Sequence, residues 1–235
     1  MRVIFPDKQN KNPLITRVLK QLPSFILVTS CVSPLISYVL KKMFGLPGIL
    51  ETLALSTEGI HKHKFWQFLT YPLITADSLC IHKEKCMEIT QRLLIRNVLG
   101  FTFFYKATNH LIRKLGSLTF LILISAQILF TGVVIWALLK LFHSSQALFG
   151  PECLITSLVL IWVFLDPEQR LGLHPLPITI SRKWGFAALI IFYFFILIFS
   201  GAFAMFFGSI LSMAIGVLFC YKEKIPNPYR ISRMF

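Results

Sequence analysis

Apolar residues in this chain come in long runs broken by short charged clusters. The lengths of the runs predict the elements. Between Lys20 and Lys41 lie 20 uncharged residues, enough for one membrane crossing at about 1.5 Å per residue. Pro34 falls inside that run and predicts a kink. Between Lys114 and Lys140 lie 25 uncharged residues, a second crossing. The apolar stretch 153–165, extended back through 146–152, makes a third with one acid near its start. Between Lys183 and Lys222 lie 38 uncharged residues. One helix of that length would span about 57 Å, nearly twice the hydrocarbon core. The stretch therefore predicts a hairpin of two helices turning at Ser200-Gly201. A shorter run, 93–111, has an uncharged core flanked by Arg96 and Lys106, which can snorkel to opposite surfaces. Glu88, Arg92 and Arg96 recur at helical spacing ahead of it. The expectation is an all-α membrane protein of six transmembrane helices, with no internal repeat and no low-complexity tract.

Composition narrows the class. Charged residues make up 14% of the 235, where a soluble domain averages about 25%. Hydrophobic residues reach 55%, and the mean hydropathy is +0.70. The first figure excludes a disordered chain, and the two together exclude an ordinary soluble domain. A net charge of +14 suggests a nucleic-acid partner until the positions are read. Nucleic-acid binders collect Lys and Arg on one face or arm. Here they sit in clusters between apolar runs, which is the signature of topology, so no nucleic-acid partner is expected. With the N-terminus inside, fifteen Lys and Arg fall in inside segments and seven in outside ones. Both termini are then cytoplasmic.

The expected division is a basic N-terminal segment 1–22, a six-helix membrane domain 23–221 and a basic tail 222–235 lying against anionic lipid. Charge throughout 1–20 and the lack of a small-residue cleavage site predict a retained signal-anchor. Direct insertion of that kind fits a bacterial inner membrane. The first outside loop, 43–87, is long and carries the aromatic residues Phe65, Trp66 and Tyr71, which read as a membrane-interface anchor.

Candidate chemistry changes the picture little. Cys31, Cys153 and Cys220 lie in or beside apolar runs, as packing residues do. Cys80 and Cys86 share a polar loop and could pair in an oxidising compartment. His61 and His63 flank Lys62 without a third ligand, so they read as a solvated basic loop. No metal site and no cofactor are expected. Phe103, Phe104, Tyr105 and the Tyr193-Phe194-Phe195 group read as core or lipid-facing aromatics. Asn97, Thr102 and Asn109 read as interhelical hydrogen-bonding residues.

Four segments in order resemble the rhomboid family. Phe65-Trp66-Gln67-Phe68-Leu69-Thr70-Tyr71-Pro72 resembles its W-R-L-L-T-Y segment. Leu115-Gly116-Ser117-Leu118-Thr119-Phe120 resembles the G-S-x-x-F entry to its third helix. Asp166-Pro167-Glu168-Gln169-Arg170, followed by Pro175-Leu176-Pro177-Ile178, resembles its proline-rich loop. Gly208, Ser212 and Gly216 resemble the small-residue ridge of its sixth helix, which lets backbones approach closely. The resemblance covers 46–221. It implies a six-helix bundle and an ancestry of intramembrane serine proteases. Such enzymes carry a serine in a G-x-S-G turn, a histidine on the sixth helix, and a histidine and an asparagine on the second.

This chain departs from that set. Gly150 is kept, but Glu152 occupies the nucleophile position and Cys153 the second glycine. Three residues before Gly208 stands Met205, where the family has its base. Asn97 fits the second-helix asparagine, while Leu93 stands for the histidine. A hydroxyl without a base is unreactive, and a developing oxyanion needs donors. The resemblance therefore implies a pseudoprotease that binds transmembrane segments of client proteins in a groove presenting Asn97, Gly150, Glu152, Cys153 and Met205. Glu152, behind Pro151, also suits the first turn of a helix, where the dipole favours an anion. The alternative is an active rhomboid-type peptidase using an unaligned nucleophile such as Cys153. The third reading, a small transporter, would want several ionisable groups along a path.

Overall fold

The computed structural model describes residues 13–44, 52–74, 103–143, 147–148, 150–172, 179–199 and 203–229. Most of them are helical. Helix α1 is Pro13–Phe44, and it runs unbroken through Pro23 and Pro34. It begins well inside the segment expected to precede the membrane domain. Charges such as Arg17 and Lys20 mark a membrane boundary but do not stop a helix. Two short helices follow, α2 (Thr57–His61) and α3 (Gln67–Thr70), and then a 3-10 turn, Tyr71–Leu73. Helical residues 103–115 form α4. Next come α5 (Ser117–Leu141) and α6 (Glu152–Leu165), a two-stranded hairpin, and finally α7 (Arg182–Phe199) and α8 (Phe203–Lys222). The strands β1 (Arg170–Gly172) and β2 (Thr179–Ser181) pair antiparallel, with Leu171 opposite Ile180.

Three of these helices, α5, α7 and α8, are long and apolar enough to cross a membrane. That is the mark of an integral membrane protein. The 38-residue apolar stretch is divided as its length requires, with α7 ending at Phe199 and α8 starting at Phe203. Its expected turn, Ser200-Gly201, lies outside the described residues. So do Leu93, Asn97, the Cys80 and Cys86 pair, and Pro175 to Ile178.

Local chemistry sets the breaks. Gly116 separates α4 from α5 at φ 85°, ψ 156°, a conformation open in practice only to glycine. α6 stops at Asp166, whose extended φ of −140° is what a following proline imposes.

The core is organised around α6. Every residue of α6 except Ile155, Thr156 and Leu165 is buried. A helix apolar on all sides belongs inside a bundle. By contrast, α5 and α8 each bury one stripe. On α8 the stripe is Ala204, Met205, Gly208, Ser209, Ser212, Gly216 and Cys220. The small residues on it let α6 come close. A Cβ at Gly208 would lie 2.9 Å from the Cys153 sulfur, and one at Gly216 would lie 2.7 Å from Ser157 Oγ. Gln127 Nε2 of α5 donates to Ser157 Oγ of α6 within the buried core. Of the three membrane-length helices α7 is the least enclosed, burying only Arg182, Phe186 and Leu197.

Polar contacts tie the far end of α6 to its neighbours. His110 of α4 meets Asp166 at 2.7 Å. The Arg182 guanidinium stacks 3.9 Å from the Trp162 ring centroid, and its Nη2 donates to Gln169 Oε1. The described part of the tail also contacts the bundle. Tyr229 Oη donates to the Lys183 carbonyl at 2.8 Å, its ring packs on Phe164, and Ile225 is buried. Residues 223–229 thus fold back onto the bundle, leaving Lys222 and Lys224 exposed.

Candidate functional site

The start of α6 is held by irregular backbone whose polar groups are satisfied internally. Leu55 and Leu148 exchange two backbone hydrogen bonds, at 3.0 and 2.9 Å. Gly150 N–H donates to the Tyr71 carbonyl at 2.9 Å. Buried backbone outside helices is stable where the protein supplies such partners. Gly150 has φ +91°, which a side chain rarely adopts. Pro151 caps the helix, and Ile155 N–H donates to its carbonyl at 2.8 Å. The Glu152 carboxylate folds back over Gly150, so a Cβ there would overlap Oε2. Glu152 is buried in the first turn of α6, where the free N–H groups favour a carboxylate.

Cys153 points toward α8. Its sulfur accepts from Ser209 Oγ at 3.7 Å and faces the Met205 carbonyl at 4.0 Å. Ser209 Oγ in turn lies 3.2 Å from Tyr193 Oη of α7. A polar chain Tyr193–Ser209–Cys153 therefore joins three helices in an otherwise apolar cluster that includes Leu55, Tyr71, Leu148 and Met205. Both Cys153 and Ser209 are buried.

A thiol becomes a nucleophile only as thiolate, and it needs a base or a cation to get there. Among the described residues, the sulfur's hydrogen-bond partners are a hydroxyl and a backbone carbonyl. Neither takes a proton at neutral pH. What the arrangement does supply is close interhelical contact and hydrogen bonding. Among the described residues, no group of three His, Cys, Asp or Glu is placed to hold a metal ion.

No family model and no curated protein matches this chain.

The structure thus brings together Gly150, Glu152 and Cys153 at one helix start, with the Met205 backbone and Gly208 against Cys153. Asn97 lies outside the described residues. The aromatic loop is split. Phe65 and Trp66 are exposed, but Tyr71 is buried at 2% exposure, with its hydroxyl donating to the Ile128 carbonyl at 3.2 Å. Tyr71 is therefore a packing residue and not an interface anchor, because the 3-10 turn with Pro72 carries the chain inward at that point. Sequence reasoning missed Ser209 and Tyr193. Ser209 follows Gly208 directly on the small-residue ridge, which was the available signal. Tyr193 sits in an aromatic run that gives no signal of its own.

Proposed function

We propose that the chain is a rhomboid-like six-helix membrane protein that holds transmembrane segments of client proteins without cutting them. In this reading both termini are cytoplasmic and the membrane is a bacterial inner membrane. In this reading the client groove lies beside α7 and presents Glu152 and Met205.

The supporting observation is the company of Cys153. The hydrogen-bond partners of the thiol nearest the position where the family resemblance implies a nucleophile are, among the described residues, a hydroxyl and a carbonyl. Helix α7 adds to it. With so few buried residues, α7 has apolar faces left for lipid or for a client helix. Binding would then rest on helix packing and a few polar contacts.

The rival peptidase reading draws on the same Tyr193–Ser209–Cys153 chain, treated as a hydroxyl relay to a thiol. One assay separates the two. The purified full-length protein is mixed with a generic rhomboid transmembrane substrate, beside Cys153→Ala and Glu152→Ala. The proposal expects no cleavage by any version and co-purification of intact substrate with all of them. Cleavage that disappears in either variant, or failure of the substrate to co-purify, overturns it.

A further inference from the structure

We infer that the end of the bundle where α4 and α6 finish and α7 begins holds a binding site for a phosphate oxyanion, free or in a phospholipid headgroup. Its centre is Arg182, the first residue of α7. Arginine is almost never buried without a partner for its charge. Here only 3% of Arg182 is exposed. The Trp162 ring covers one face of the guanidinium, and Nη2 donates to Gln169 Oε1, a neutral acceptor. Nε and Nη1 are buried and have no hydrogen-bond partner among the described residues. Guanidinium N–H groups lie in the plane of the group, so the stacked ring does not satisfy them. A buried donor left unmade is costly, and a bound ion is one of the few ways a native structure makes it good.

The surrounding charges favour an anion. The charges of Arg113 and Lys114 on α4, of Asp166 and of Arg182 all act on the His110 ring. Asp166, at the end of α6, is the carboxylate that acts on Arg182, and it is shared with His110 at 2.7 Å. Glu168 is taken by Lys183 in an ion pair. That leaves the cations Arg113, Lys114 and Arg182 facing a single shared carboxylate. The rim is open to solvent, with the side chains of His110 and Asp166 23% and 29% exposed and Lys114 half-buried. A buried donor behind such a rim differs from a solvated basic patch, whose lysines already have water for partners.

Phosphate suits this geometry. Its several oxygens can take both free guanidinium N–H groups and a lysine ammonium at once. α7 is long enough to cross a membrane, so Arg182 stands at the level of a helix end, where lipid phosphates lie. A headgroup and a free phosphate therefore present the same chemistry here.

The test follows the unfolding midpoint of the full-length protein in detergent, after removal of lipid phosphorus. One arm adds inorganic phosphate, against sodium chloride of equal ionic strength. The other adds dihexanoyl phosphatidic acid, against dihexanoyl glycerol, which has the same chains and no phosphate. A ligand that binds the folded state raises the midpoint saturably. Wild type should show such a rise, beyond the control, with at least one phosphate probe. A rise with inorganic phosphate assigns a free anion, and a rise with the phosphatidic acid alone assigns the headgroup. Arg182→Met should abolish the rise. Lys114→Met leaves the buried stack in place and should weaken the apparent affinity about tenfold, the loss of one hydrogen bond to a charged group. It keeps the test decisive if Arg182→Met does not fold. No rise beyond the controls, or an undiminished affinity in Lys114→Met, overturns the inference.

Discussion

Gly208 of α8 sits directly against Cys153 of α6, so close that a methyl group on Gly208 would come 2.9 Å from the sulfur. Gly208→Ala should therefore destabilise the protein by about 1–3 kcal/mol, the usual cost of overpacking. Cys153→Ala shortens the facing side chain and should relieve part of that. The double variant should be more stable than the sum of the single effects, as residues in contact are coupled. Unfolding in mixed detergent micelles checks this, and strict additivity would show that the two residues do not share the contact.

Gln127 and Ser157 form a buried polar pair between α5 and α6. Interhelical hydrogen bonds in membranes average about 0.6 kcal/mol, with about 1.7 as a ceiling. Gln127→Leu should cost stability within that range. Pairing it with Ser157→Ala should recover part of the loss, because no hydroxyl is then left without its partner. The same unfolding assay reads the outcome, and a double variant worse than either single one would contradict it.

Arg182 is nearly fully buried and stacked on Trp162. A desolvated cation–π contact is worth about 2 kcal/mol. Arg182→Lys keeps the charge but loses the planar stack and the fork that reaches Gln169. It should lower thermal stability almost as much as Arg182→Met. If lysine restores wild-type stability, charge alone matters at this position.

Glu58 and Lys62 set a pH window on α2. The Lys62 hydrogen bond and charge hold the Glu58 carboxyl below its ordinary value, and Glu58 holds the Lys62 ammonium above its own. The carboxylate's contribution is complete above about pH 4.5 and fades as pH falls through the lowered value. The ammonium's contribution is complete below about pH 10.5 and fades as pH rises through the raised value. Exchange protection of the Lys62 amide, which bonds to the Glu58 carbonyl at 3.1 Å, should be greatest between those limits after correction for intrinsic rates. In Glu58→Gln the acid-side loss should vanish.

What was legible in the sequence is what depends on neighbours along the chain. A 38-residue apolar stretch cannot be one crossing, and it is two helices. Gly150-Pro151 reads as a helix start, and α6 begins at Glu152. What was not legible depends on packing across the bundle. Phe65, Trp66 and Tyr71 look alike on paper, yet only the first two face outward, because the turn after Thr70 buries the third. Ser209 and Tyr193 lie 16 positions apart and meet only because α7 and α8 form a hairpin. The tail reads as a charged strip, yet Tyr229 within it finds Phe164 on the far end of α6.

Because α6 is wrapped by its neighbours, its final environment is not the one it meets during synthesis. The chain is made from its N-terminus, so α6 reaches the bilayer before α8 exists. Until α8 arrives, Cys153 and Ser157 lack the wall that Gly208 and Gly216 later provide. Assembly is thus completed from the C-terminal side. A polypeptide stopped after α7 would carry an open trough along α6 where Gly208 and Gly216 would have packed.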